Sequence, residues 1–321
     1  MDVIAWLLEG DPSIRYQVQR DLLDTPEPVL KQYRAALMAS GHVRRYLDLV
    51  DPATGMWGGG VYSPKYVSTH YTLLDLTCLG VDPNHPAYQK GIAILLERMW
   101  PSHDPEHWTG HQDMCVAAMV LRMNAYGFNQ SIKLNEIVDY VLAHQFPDGG
   151  WNCSWRHKPA PHSSSLHTTL SVLEAIQAYT ANGYSYRLDE LLAQAGHAID
   201  FILRKRLFRS ERTGEIIKDA FLRWTFPEGW KYNVIRALDC FRALNVPYDE
   251  RMAEAIGYLL RRADADGRLK ALAPQEGPRH FILEPSGKHS RYNTLRLARI
   301  MRCYGNEYRH TQPMETKRSD I

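Results

Sequence analysis

One helix opening recurs along this chain and constrains its fold more than any other feature. Arg15-Tyr16-Gln17-Val18-Gln19-Arg20, Lys231-Tyr232-Asn233-Val234-Ile235-Arg236 and Arg291-Tyr292-Asn293-Thr294-Leu295-Arg296 each read basic, Tyr, amide, two spacers, Arg. Three relatives carrying other polar residues lie between them: Thr69-His70-Tyr71-Thr72, Gln112-Asp113-Met114-Cys115 and Leu166-His167-Thr168-Thr169. Each copy starts an apolar run, and six copies of one unit mean a repeat architecture. The polar residues fall at the same point of every unit, so they gather at one end of the assembly, where a site is expected.

The pattern between the copies predicts paired helices. Asp11 caps and Pro12 suits the first turn of a helix ending near 24, and a second helix covers about 27–49. Pairs follow at about 68–80 with 86–100, 113–126 with 132–146, 165–180 with 186–208, and 231–244 with 249–263, and a last helix covers about 290–304. The first member of each pair is apolar on most of its surface, as in Val116-Ala117-Ala118-Met119-Val120-Leu121, which argues full burial. The second members are amphipathic. Buried helices alternating with half-exposed ones describe two concentric layers, an all-α (α/α)6 toroid, in preference to an open stack whose pairs bury one face of each helix. A single domain over 1–305 is expected. Residues 1–50 supply an extra pair that closes the ring, and the polar tail 306–321 is expected to be disordered.

Composition narrows the function classes. A net charge of +2 implies no strong nucleic-acid or membrane field. No apolar run approaches the length that spans a bilayer. The acidic start lacks the basic region of a signal peptide, and five scattered Cys give no disulfide framework, so a reducing cytoplasm is the simplest expectation. Half of the 14 His lie between His103 and His167, which concentrates candidate ligands there.

The connections Gln145-Phe146-Pro147-Asp148-Gly149-Gly150-Trp151, Phe226-Pro227-Glu228-Gly229-Trp230 and Asp264-Ala265-Asp266-Gly267-Arg268-Leu269 put a Gly before an aromatic or apolar residue that tucks the loop onto the next helix. Over roughly residues 50–305 this pattern resembles the glycine–aromatic repeats of the α/α-toroid superfamily, which includes protein prenyltransferase beta subunits and squalene–hopene-type cyclases. Asp113-Met114-Cys115 opens one inner helix and His167 the next. Carboxylate, thiolate and imidazole are all zinc ligands, and three with an open position describe a catalytic site. The order and spacing look like the zinc site of prenyltransferase beta subunits, a resemblance that implies Zn on Asp113, Cys115 and His167. Cys153 is a possible rival or fourth ligand, and His107, His111, His157 and His162 are loop residues near the same rim. Taken singly, Asp113 also reads as an N-cap, Cys115 as a small buried hydrophobe and His167 as a hydrogen-bonded wall residue. The basic residues that prenyltransferases place beside Asp-x-Cys are absent, and so is the cyclases' Asp-x-Asp-Asp motif.

In a closed ring the three Tyr–Arg copies form one arc, opposite the arc of His70, Asp113, Cys115 and His167. Arg there gives bidentate contacts to phosphate or carboxylate. It serves equally to pair with neighbouring acids while Tyr packs between units. The expected substrate-binding residues are His70, Tyr71, Trp151, Tyr232, Arg236, Tyr292 and Arg296. The leading reading is a prenyltransferase-like or terpene cyclase-like enzyme whose zinc activates a thiol or water for a small-molecule or peptide substrate in a central funnel. The resemblance leaves open a partner subunit. One alternative is a metal-free carbohydrate-active or carbohydrate-binding toroid, with Asp75, Asp113, Glu174 and Asp239 as candidate acids. Another is a non-catalytic binding module.

Overall fold

The computed structural model describes residues 2–100, 113–153 and 161–311. Among them the chain is helical, with two single β-bridges (Arg209 with Ile216, Lys270 with His289) and no strand. The helices are α1 Val3–Leu8, α2 Pro12–Asp21, α3 Glu27–Ala39, α4 Gly41–Leu47, α5 Thr69–Leu79, α6 Pro86–Met99 and α7 Met114–Tyr126. They continue as α8 Lys133–Ala143, α9 Leu166–Ala181, α10 Leu188–Arg204, α11 Val234–Ala243, α12 Ala253–Arg262 and α13 Arg291–Thr311.

The repeated openings start α2, α5, α7, α9, α11 and α13, and these six form the inner ring. Each seam has a polar tie. Gln17 Nε2 donates to Leu79 O at 3.2 Å between α2 and the end of α5, and Tyr126 OH donates to Val81 O at 2.6 Å beside α5 and α7. Arg122 and Arg236, from α7 and α11, both donate to Glu174 of α9. Arg299 of α13 faces Asp239 of α11, and Tyr292 OH lies 2.8 Å from Ser13 Oγ, which joins the last helix to the first. Helix α9 buries nearly every side chain from Leu166 to Tyr179, whereas α10 buries Leu191, Ala195, Ala198, Phe201, Ile202 and Leu203 and leaves its other face in water. That contrast is the two-layer toroid read from the sequence.

The glycine–aromatic loops work as expected. Gly149 takes φ +98, and a Cβ there would meet His197 O at 2.7 Å. Trp151, fully buried, then donates its backbone N–H to Thr169 Oγ1 at 3.0 Å and its indole N–H to Val141 O at 2.9 Å. Trp57 repeats the arrangement with Thr69 and Tyr46, and Leu269 with Thr294.

Two boundaries differ from the sequence reading. The expected helix over 27–49 is broken at Ser40, whose extended backbone and the φ of +77 at Gly41, the first residue of α4, turn the chain. The last helix runs on through Thr311, since Tyr304 OH reaches Val246 O at 3.0 Å and Tyr248 OH pairs with Thr311 Oγ1 at 2.8 Å. The remainder of the expected tail, 312–321, lies outside the described residues.

Candidate functional site

The amino ends of the inner helices open toward one mouth, and the segment between α12 and α13 lies across it. Its stem closes through Ala271 N–H to Lys288 O at 2.7 Å and Ser290 N–H to Leu269 O at 2.7 Å. Its arm docks by His280, whose Nε2 is 2.9 Å from Thr72 Oγ1, and by Phe281, whose ring lies 4.6 Å from that of Tyr46 under the Arg45 guanidinium. Gly277, at φ +129, passes so close to Tyr66 that a Cβ would stand 2.9 Å from the ring.

Beneath this cover is an upper chamber of about 70 Å³, walled by Tyr46, Tyr66, Tyr71, Phe226 and Phe281, with Asp75 and Glu284 among its polar groups. A cavity of about 150 Å³ holds a benzene ring, so this space takes several waters or the edge of one ring rather than a whole one. Tyr46 OH donates to Asp75 Oδ2 at 2.9 Å, the one protein hydrogen bond to that carboxyl among the described residues. Burial, aided by the nearby Glu228 carboxylate and opposed by the Tyr46 hydroxyl, pushes the Asp75 pKa up to about 8. Asp75 is therefore a neutral acid near pH 7, facing an aromatic space. Burial also raises Glu284, but Ser290 Oγ at 2.5 Å and Arg291 N–H at 2.6 Å already occupy its oxygens.

A lower chamber of about 420 Å³ lies further along the axis, lined by the later turns of α2, α5, α7 and α9, by α11 and by the first half of α13. Phe226 lines both spaces and stacks on Tyr292 at 4.1 Å with 13° between the planes, which divides the axis of the ring. Arg296 lies over the Phe226 ring at 4.9 Å and pairs with Glu228.

No protein-family model and no curated protein sequence matches the chain. Among solved structures, a glycosyl hydrolase of family 88 from Bacteroides vulgatus aligns over 95% of this chain and 97% of its own, with a TM-score of 0.50 and 13% identity. A polysaccharide lyase (TM-score 0.45, 12% identity, 97% of each chain) also aligns. So does a type II terpene cyclase from Scytonema (TM-score 0.45, 15% identity, 93% of this chain and 94% of its own). At these identities the likeness is one of fold, and it agrees with the toroid read from the repeats.

The residues expected at the mouth have separate surroundings. Among the described residues no three His, Cys, Asp or Glu side chains are grouped so that they could hold a metal ion, and Cys115 and His167 each have partners of their own. Asp113 is exposed at the start of α7 and makes no side-chain cap. Cys115 turns to Cys153, whose Sγ accepts the Cys115 backbone N–H at 3.1 Å and lies 3.1 Å from Thr168 Oγ1. His167 Nδ1 accepts the Tyr232 backbone N–H at 2.8 Å, between the rings of Phe221 and Trp230. Burial first, then Lys218, Arg236 and Lys231, push the His167 pKa down to about 4. A cation arriving there would meet three positive side chains. His162 is exposed, and His107, His111 and His157 lie outside the described residues.

Of the expected binding residues, Tyr71 lines the upper chamber, and Arg236, Tyr292 and Arg296 line the lower one. His70 is sealed against Tyr62 and Tyr71 with both ring nitrogens unpartnered, and burial holds its pKa at about 3. Trp151 is a buried pin, and Tyr232 OH donates to Leu207 O at 2.6 Å, so both are spent on structure. Of the candidate acids, Glu174 serves two arginines and Asp239 pairs with Arg242 and Arg299. Tyr46, Tyr66 and Phe281 were not singled out in the sequence, since they come from loops and an outer helix without the repeat's signature; Phe226 stood there only as part of a glycine–aromatic connection, not as a site residue. No helix among the described residues is long and apolar enough to cross a membrane.

Proposed function

We propose that the chain is a carbohydrate-active toroid that seats the edge of one sugar ring in the upper chamber, with Asp75 as the proton donor. The observation that carries this is a neutral, buried carboxyl facing a small tyrosine-lined cavity. Aromatic walls stack on the apolar faces of a sugar, and the hydroxyls of Tyr66 and Tyr71 supply polar partners at its edge. A carboxylic acid with a pKa near the working pH is well matched to protonating the departing oxygen of a glycosidic bond, while water adds to the anomeric carbon and its proton returns to the Asp75 carboxylate. The cyclases' Asp-x-Asp-Asp motif is absent from the sequence, which gives the cyclase-like reading less support. The zinc-dependent prenyltransferase-like reading has no gathered ligand set behind it, so no step is routed through a metal. The fold is shared with many chemistries, and the residues rather than the likeness support the reading.

The test is a panel of aryl glycosides and oligosaccharides with the wild type and Asp75→Asn. Turnover in the wild type that falls by at least about a hundredfold in the variant, with sugar binding retained, is expected. The rate should fall as pH rises through about 8, where Asp75 ionises. Absence of both binding and turnover across the panel overturns the proposal.

A further inference from the structure

We propose that the lower chamber is a second binding site, for a small oxyanion of the phosphate or carboxylate class. Six guanidinium groups line it, from Arg20, Arg122, Arg236, Arg242, Arg296 and Arg299. Four carboxylates pair with them. Glu174 takes Arg122 and Arg236, Glu228 takes Arg296, Asp21 takes Arg20 and Arg299, and Asp239 takes Arg242 and the far side of Arg299. Among the described residues, two positive charges are left in excess.

Helix dipoles account for only part of this excess. The carboxyl ends of the inner helices carry partial negative charge, and Arg20 and Arg242 sit in last turns where they offset it. Arg236 is in the first turn of α11, and Arg122, Arg296 and Arg299 lie within their helices, away from the last turns.

The donors are also unfinished. Arg299 is 7% exposed, and its Nε has no partner. One Arg122 amino group reaches only the Cys78 sulfur at 3.7 Å, a weak acceptor. An under-satisfied buried guanidinium is costly, and an oxyanion that accepts forked N–H pairs relieves that cost. The chamber volume of about 420 Å³ falls within the range of small-molecule sites. This site is independent of the sugar reading, because it lies on the other side of the Phe226–Tyr292 stack and its groups do not include Asp75.

The experiment is isothermal titration of the full chain, at low ionic strength, with inorganic phosphate and with citrate. Thermal melts in sodium chloride of equal ionic strength serve as the control. One saturable site per chain for either anion is expected, weakening as salt rises. Arg122→Gln should lower its affinity by about tenfold or more. If circular dichroism shows that Arg122→Gln does not fold, Arg242→Gln at the more open rim takes its place, with a loss of about threefold or more expected. The proposal is overturned if neither anion saturates, if chloride stabilises equally, or if the folded variant binds as the wild type does.

Discussion

The chemistry proposed for the upper chamber rests on one side chain. Asp75 sits one turn after Tyr71 on α5, and the ring places both at the cavity wall. Its carboxyl is nearly neutral when folded but ionises near pH 4 when unfolded. As pH rises from about 4 to about 8 the unfolded chain releases a proton that the folded chain keeps. The contribution of Asp75 to stability is therefore largest in acid and falls by about 1.4 kcal/mol per pH unit across that window. Asp75→Asn removes the slope. Urea denaturation at several pH values should show the difference between wild type and variant growing steadily in favour of the variant from pH 4 to 8. Parallel curves would show that Asp75 is ionised in the fold. The sequence offered Asp75 as one of three acids within helices, beside Asp113 at a helix start, and did not tell the three apart, because that separation comes from neighbours distant in the chain. Glu174 and Asp239 meet arginines from other units, whereas among the described residues the Asp75 carboxyl is hydrogen-bonded by the Tyr46 hydroxyl alone.

At the scale of the element, the inner helices were legible because every one repeats the same opening. The role of the Thr in that opening was not. Thr169 Oγ1 accepts the buried Trp151 N–H and donates to Trp151 O at 3.3 Å, which fixes where the loop meets the helix. Thr169→Val keeps the shape and removes the acceptor. It should cost about 1–3 kcal/mol, seen as a lower urea midpoint with an unchanged slope. The cover over the mouth was read only as a connection. It has no apolar period, and the contacts that hold it come from His280 and Phe281 meeting α4 and α5 across the ring. Gly277→Ala forces a side chain onto Tyr66 in a backbone region L-residues avoid. Faster proteolysis within 272–286, with the global melting transition little changed, is the expected outcome. The Tyr–Arg motif was legible as a pattern and ambiguous in purpose, and its two parts divide. The tyrosines hold neighbouring units together, through Leu207 for Tyr232 and Ser13 for Tyr292, while the arginines turn to the axis.

At the scale of the molecule, closure is what makes the ring one cooperative body. Glu174 is the node where three inner helices meet, with Arg122 and Arg236 on a carboxylate whose pKa they hold down to about 2 against its burial. Glu174→Gln leaves both guanidinium groups in a low-dielectric wall without their charge partner. A loss of about 3–5 kcal/mol follows, measurable by urea denaturation, and a loss below about 1 kcal/mol would mean the network is solvated. The division of the axis by Phe226 and Tyr292 has a consequence for traffic. Among the described residues the stack stands on the axis between the two chambers. On the proposed sugar reading, a saccharide reaches the upper chamber by an end rather than by its middle, so single terminal sugars and not internal fragments are the expected first products from an oligosaccharide.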